Sequence, residues 1–150
     1  MGYVYVMTEA PRLDRQVCFA LYSASRAATA VYRPVLEQLG LTYPQYLVML
    51  VLWENEPRGV KELGGELGLD SGTLSPLLKR LEALGFVERR RSGEDERRVA
   101  IHLTPAGRDL SVPARAIPQR LADAAGLSLD ELEQLRTTLG KLTAALHQSL

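Results

Sequence analysis

Two short leucine periods separated by one glycine turn constrain this chain more than any other feature. Val60, Leu63 and Leu67 recur at helical spacing, and Gly68-Leu69-Asp70 interrupts them. Leu74, Leu77, Leu78, Leu81 and Leu84 then line one face of a second segment, which Gly85 stops. Apolar residues three and four apart share one side of a helix. The spacing therefore predicts helices over about residues 60–67 and 71–84, joined by a tight turn as a helix-turn-helix pair. Beyond Gly85 the period changes. Residues 86–91 and 97–103 read as two strands around a polar tip, Ser92-Gly93-Glu94-Asp95-Glu96, which makes a wing-like hairpin.

The flanks are helical. Across residues 14–39, Val17, Leu21, Ala24, Ala28, Val31, Val35 and Leu39 keep the helical period. Pro34 predicts a kink near residues 30–33, and Gly40 is placed as a C-cap. Tyr43-Pro44 opens a second helix to about Trp53, apolar on every side and so destined for the interior. Residues 55–59, Asn55-Glu56-Pro57-Arg58-Gly59, read as a turn. Thr104-Pro105 starts a helix to about Ala125, bent or interrupted around Pro113 and Pro118. Ser128-Leu129-Asp130-Glu131 is a capping box. Leu132, Leu135, Leu139, Leu142 and Leu146 follow as a seam for packing on another helix. The expectation is a single mainly α domain with a small β-hairpin wing. Residues 13–54 and 105–150 would form a helical dimerisation region, and residues 58–103 a winged helix-turn-helix DNA-binding region.

With 18 basic and 18 acidic residues the formal net charge is zero, so any affinity for nucleic acid must come from where charge sits. Opposite the leucines of the second short helix lie Ser71, Thr73, Ser75, Pro76, Lys79 and Arg80. The N-terminal end of a recognition helix reaches base edges, while hydroxyls and cations hold phosphates. On the helix alone, an ordinary solvated face explains these residues equally well. Five arginines fall between positions 89 and 98, offset by Glu94, Asp95 and Glu96. Asp95 can orient Arg97 for an electronegative minor groove, although a salt-bridged hairpin tip would use the same pair. Helix pair, wing and arginine in this order are more specific than any one of them.

The single cysteine, Cys18, excludes an intrachain disulfide and fits a reducing cytosol. His102 and His147 give no zinc spacing with it, so neither a metal nor another cofactor is expected. The longest apolar run, residues 46–53, is too short for a bilayer, and the opening residues lack a signal-peptide pattern. A cytoplasmic protein without membrane contact is expected. Inert packing is the common fate of a lone cysteine. Spacing argues otherwise, because Cys18, Tyr22 and Tyr32 share a helical azimuth within roughly 40°. Cys18 and Tyr22 are i, i+4 neighbours. Tyr32 lies about 21 Å further along the axis. It can meet Cys18 only from a second copy packed antiparallel across a twofold axis. Hydroxyl donors and a nearby helix N-terminus favour the thiolate, the form that attacks peroxide. Core packing with satisfied hydroxyls is the competing reading for the tyrosines, Tyr46 above all.

Residues 69–82, Leu69-Asp70-Ser71-Gly72-Thr73-Leu74-Ser75-Pro76-Leu77-Leu78-Lys79-Arg80-Leu81-Glu82, with Asp95-Glu96-Arg97 and Leu103-Thr104-Pro105-Ala106-Gly107, resemble a MarR-type winged-helix repressor. Cys18-Phe19-Ala20-Leu21-Tyr22, Tyr32-Arg33-Pro34 and Leu41-Thr42-Tyr43-Pro44-Gln45-Tyr46-Leu47 resemble its organic-hydroperoxide-resistance (OhrR) branch. The likeness runs from about Leu13 onward. It implies a homodimer on a near-palindromic double-stranded DNA operator, released when a reactive cysteine is oxidised by organic hydroperoxide. Cys18 stands at that reactive position, with Tyr22, Tyr32 and Tyr43 at the tyrosine positions around it. Having no second cysteine, the chain is similar to the one-cysteine type, whose oxidised sulfur turns to an outside low-molecular-weight thiol or is over-oxidised. Two alternatives stand beside this: a MarR-type repressor released by a small aromatic ligand, and a one-cysteine peroxidase.

Overall fold

The computed structural model describes residues 10–91 and 98–150. The first long helix, α1 (Val17–Leu39), begins later than its periodicity suggests. Residues Leu13–Arg15 form a separate 3-10 turn, in which Arg12 pairs with Asp14 at 3.1 Å. Gln16 is extended between the two, so Cys18 is the second residue of α1 rather than an interior one. The helix continues through Pro34 and ends at Gly40, whose φ of 74° is the left-handed conformation that glycine adopts without strain. Thr42 and Gln45 form a reciprocal capping box at the start of α2 (Tyr43–Glu54). As its composition predicts, α2 is central: Tyr46, Val48, Met49, Val51 and Leu52 are all buried.

The segment read as a turn after α2 contains more than a turn. Arg58–Gly59 is a short strand, β1, pairing Arg58 with Ile101 and Gly59 with Ala100. The expected two-stranded wing is therefore a three-stranded antiparallel sheet of order β1-β3-β2, with β2 spanning Val87–Arg91 and β3 Val99–Leu103. Two residues beside a proline carry no alternation, so β1 has no periodic signal; its partner strand creates it. The helix pair forms as expected, α3 (Val60–Leu67) and α4 (Ser71–Ala83). Leu63, Leu74, Leu78 and Leu81 are buried together, whereas Leu84 lies past the helix end and is exposed.

The helix expected after Thr104, bent or interrupted around Pro113 and Pro118, is interrupted: it forms three pieces, α5 (Pro105–Asp109), α6 (Ser111–Ala114) and α7 (Ile117–Ala124). Pro113 and Pro118 lack the N–H that a continuous helix would use, so the ladder breaks. Helix α7 lies against α1. The last helix, α8 (Leu129–Gln148), has its capping box at Ser128 and Glu131 but no buried residue. Among the described residues no helix is long and apolar enough to cross a membrane.

One junction ties the hairpin to the helical layer. Thr104 donates its hydroxyl to the Gly85 carbonyl at 2.5 Å, and its N–H bonds Phe86 O. The indole Nε1 of Trp53 donates to Gly107 O at 2.9 Å. Gly107 is buried there, and a Cβ on it would come within 2.1 Å of Phe86 O, a backbone atom with no room to yield. Gly107→Ala is expected to cost about 3 kcal/mol or more, at the upper end of overpacking penalties. Urea denaturation of the two proteins measures this, and an unchanged midpoint would contradict the junction's tightness.

Candidate functional site

The leucine face of α4 is anchored in the core, so its other face points outward. Ser71, Thr73, Pro76, Lys79 and Arg80 are exposed and Ser75 is half-buried. Neither Lys79 nor Arg80 is held in an ion pair among the described residues. The start of α4 is already occupied by an anion. The Asp70 carboxylate accepts from Thr73 N at 2.7 Å, and this bond leads the set that holds its carboxyl below the usual range. A phosphate would therefore meet Asp70 at that helix end. Along the rest of the exposed face of α4 the polar groups are hydroxyls and the two cations.

The strand arginines are less free than their number suggests. Arg89 pairs with Glu82 of α4 at 3.2 Å, and Arg90 pairs with Glu88 along its own strand. Arg91 is exposed at the end of β2. Asp95 and Arg97, the wing-tip candidates, lie outside the described residues.

The thiol candidates divide into two groups. Cys18 is free and exposed in the first turn of α1. Tyr22, one turn on, is exposed with the Arg26 guanidinium over its ring at 5.4 Å. Tyr32 and Tyr43 come together at the other end of α1, stacked at 5.7 Å with an interplanar angle of 10°. Tyr46 touches both, with ring centroids 6.4 Å and 6.3 Å away, and meets Trp53 edge-on at 6.3 Å. Fourteen residues of helix separate Cys18 from Tyr32, about 21 Å at 1.5 Å per residue. Within one chain, then, the fold brings the phenols together and leaves the thiol away from them. Burial, and then the neighbouring Tyr43, push the Tyr32 hydroxyl above its model-compound value of 10.0. Burial acts likewise on Tyr46, with Tyr32 and Tyr43 adding to it. Both phenols stay protonated and remain donors. Tyr46 itself is a core residue, as its competing reading held.

Sequence reasoning missed a second constellation. A cleft of about 650 Å³ opens beside the end of α2, lined by Tyr46, Trp53, Glu56, Leu103, Arg108 and Arg115 among others. Glu56 accepts from Leu103 N at 2.6 Å and from Arg108 Nε at 2.8 Å. Burial pushes the Glu56 carboxyl up. The bonds from Arg108 and Leu103, with the charges of Arg108 and His102, outweigh it and hold the carboxyl below the ordinary range. No spacing signal connects Glu56 to residues 103 and 108. Among the described residues no cluster of histidine, cysteine and carboxylates is arranged to hold a metal ion.

A raised phenol favours the folded state while it keeps its proton. That contribution is complete below pH 10.0, the unfolded value, and is lost as pH rises through the folded value. Stability should therefore fall above about pH 10, and Tyr32→Phe should flatten the decline. Urea midpoints across pH 8 to about 11 test this. An identical alkaline slope in Tyr32→Phe would contradict the burial of that hydroxyl.

The family described as transcriptional regulator SarA/Rot matches residues 30–112. The organic hydroperoxide resistance transcriptional regulator of Bacillus subtilis is 47% identical over 137 residues, covering 91% of this chain and 93% of its own. The regulator TtmR of Methylorubrum extorquens is 50% identical over 135 residues, covering 90% of this chain and 69% of its own. Among solved structures, reduced AbfR bound to DNA superposes with a TM-score of 0.75 at 38% identity, covering 90% of this chain and 94% of that one. AbfR, from Staphylococcus epidermidis, has also been solved overoxidised on DNA and in a disulfide form.

Proposed function

The chain belongs to the SarA/Rot and MarR-type winged-helix transcriptional regulators, and from that premise we propose that it is a homodimeric repressor that releases its operator when organic hydroperoxide oxidises Cys18. The observation that carries this is the separation of thiol and phenols. Cys18 is exposed at the start of α1 while Tyr32 and Tyr43 stack at its far end. An antiparallel second copy would set the Cys18 of one chain beside the Tyr32 and Tyr43 of the other, making two complete sites. The unburied leucine seam of α8 supports the same assembly. Its Leu135 and Leu146 are about half exposed in the single chain. Residues 13–54 and 105–150 would be the dimerisation region and 58–103 the DNA-reading region. Two recognition helices one helical turn apart suit a near-palindromic operator. A repressor of chromosomal DNA works in the cytoplasm.

The chemistry requires one thiol and one oxidant. The Cys18 sulfur attacks the outer peroxide oxygen, an S–O bond forms and the O–O bond breaks. The leaving alkoxide takes a proton to become an alcohol, so sulfur loses two electrons and the peroxide gains them. The resulting sulfenic acid condenses with a small thiol, releasing water and leaving a mixed disulfide, or oxidises further. With one cysteine per chain, no internal partner competes for it. The changed sulfur no longer fits the hydroxyl donors around it. α1 then shifts, and the two recognition helices lose their spacing. A ligand-released repressor is the second reading, favoured by the cleft between Trp53 and Arg108.

Cys18→Ser should bind operator as the parent does and ignore cumene hydroperoxide. Release of this variant as readily as the parent would move the ligand reading ahead. One oxidant equivalent per subunit should suffice for release, whereas many turnovers would favour a peroxidase. Tyr32→Phe and Tyr43→Phe should still bind DNA but respond about tenfold more slowly, since a hydrogen bond to a charged group is worth about 1.5–3 kcal/mol. Removing Lys79 and Arg80 should reduce the salt slope of binding by about 0.9 per lost phosphate contact. Arg97→Ala should weaken operator binding without unfolding, and unchanged affinity at physiological salt would sink the wing assignment. A monomer at micromolar concentration would contradict the paired site.

A further inference from the structure

The turn after α2 is bound on both sides. Toward the helix pair, Arg58 donates Nε to Asn55 O at 2.9 Å and reaches Glu66 of α3 at 2.6 Å. Toward the hairpin and α5, Glu56 holds Leu103 N with one carboxylate oxygen and Arg108 with the other. Trp53, three residues before Glu56, bonds Gly107 O. The helical layer and the 58–103 region share one apolar core, in which α2 packs on α3 and α4, and at its edge these polar contacts tie the turn to α3 on one side and to β3 and α5 on the other.

Register explains why it is Glu56. Strand β1 pairs Arg58 with Ile101 and Gly59 with Ala100. Continuing that antiparallel ladder would set residue 56 opposite Leu103, the last residue of β3. The ladder stops at Pro57, and at the next position the Glu56 side chain supplies the acceptor for the Leu103 N–H. Its second oxygen is left for Arg108, fixing α5 in the same grip.

We propose that Glu56, clamped to Leu103 N and Arg108, is a positioning residue that sets the angle between the DNA-reading region and the helical frame, and thereby the half-site spacing the dimer accepts. This rests on the dimeric repressor reading above. In a twofold dimer each frame is shared, so a change in this angle moves the two recognition helices relative to one another. Neither Glu56 nor Arg108 lies on the recognition face of α4, and neither is assigned a contact with DNA. Their effect is on geometry.

The experiment uses duplexes that the parent protein itself selects from a randomised library, and the same duplexes with two base pairs inserted between the half-sites. For the parent, the insertion should weaken binding about a hundredfold, the scale of losing simultaneous engagement. In Glu56→Gln, where one acceptor becomes a donor, and in Arg108→Gln, the penalty should fall to about tenfold or less. The double variant should match Glu56→Gln, because Arg108 acts only through the Glu56 carboxylate. A role confined to stability would lower the melting temperature or weaken both duplexes alike, leaving the ratio between them unmoved. An unchanged ratio in both variants, with the parent still discriminating, overturns the inference alone. Should Glu56→Gln fail to fold, Arg108→Gln decides, since it keeps the Glu56–Leu103 bond. A parent that selects no duplex overturns the repressor reading, and the inference with it.

Discussion

Helix α2 has nowhere stable to be except the interior, and the rest of the molecule is arranged around that fact. Its residues are apolar on all sides, so it needs cover from every direction rather than from one face. Helices α1, α3 and α4 supply most of that cover, and Leu50 stays exposed. Its N-terminus is closed by Thr42 and Gln45, and the Trp53 indole near its C-terminus reaches Gly107. Tyr43 and Tyr46 begin the aromatic chain that ends at Trp53. The same helix therefore holds the phenols at one end and is tied to the start of α5 at the other. A disturbance at Tyr32 and Tyr43 is received by an element packed directly against α4.

A second constraint is the stiffness of α1. Cys18 and Tyr32 are fixed on one rod, about 21 Å apart, and no rearrangement short of unfolding that helix can join them. Chemistry that needs both must borrow one from another molecule. On the proposed reading, dimerisation is a condition for sensing as well as for reading two half-sites. Exposed Val17 and Phe19 near the thiol, and the unburied α8, are the surfaces such a partner would cover.

Much of this was legible in the sequence because it depends on local rules. The leucine periods of α3 and α4, the glycine that ends α1, and the capping box of α8 each follow from residues within a few positions of one another. The separation of Cys18 from Tyr32 followed from helix geometry alone. What escaped was non-local. Strand β1 exists only because β3 lies beside it. The clamp on Leu103 and Arg108 spans about fifty residues of chain. The pairing of Arg89 and Arg90 with glutamates was equally hidden, since charge in sequence does not show which cations are already occupied.

The central claim is that each sensing site is built from two chains, and mixed dimers test it directly. One dimer joins a Cys18→Ser chain to a Tyr32→Phe chain. The other joins the parent chain to one carrying both substitutions. Each holds a single reactive cysteine and a single Tyr32, so composition is identical and only the arrangement differs. The measurement is the rate of Cys18 oxidation by cumene hydroperoxide. A shared site predicts that the first dimer reacts at the parent rate, because its cysteine faces the intact Tyr32 of the other chain, and that the second reacts slowly. The reverse order, or equal rates, would contradict it.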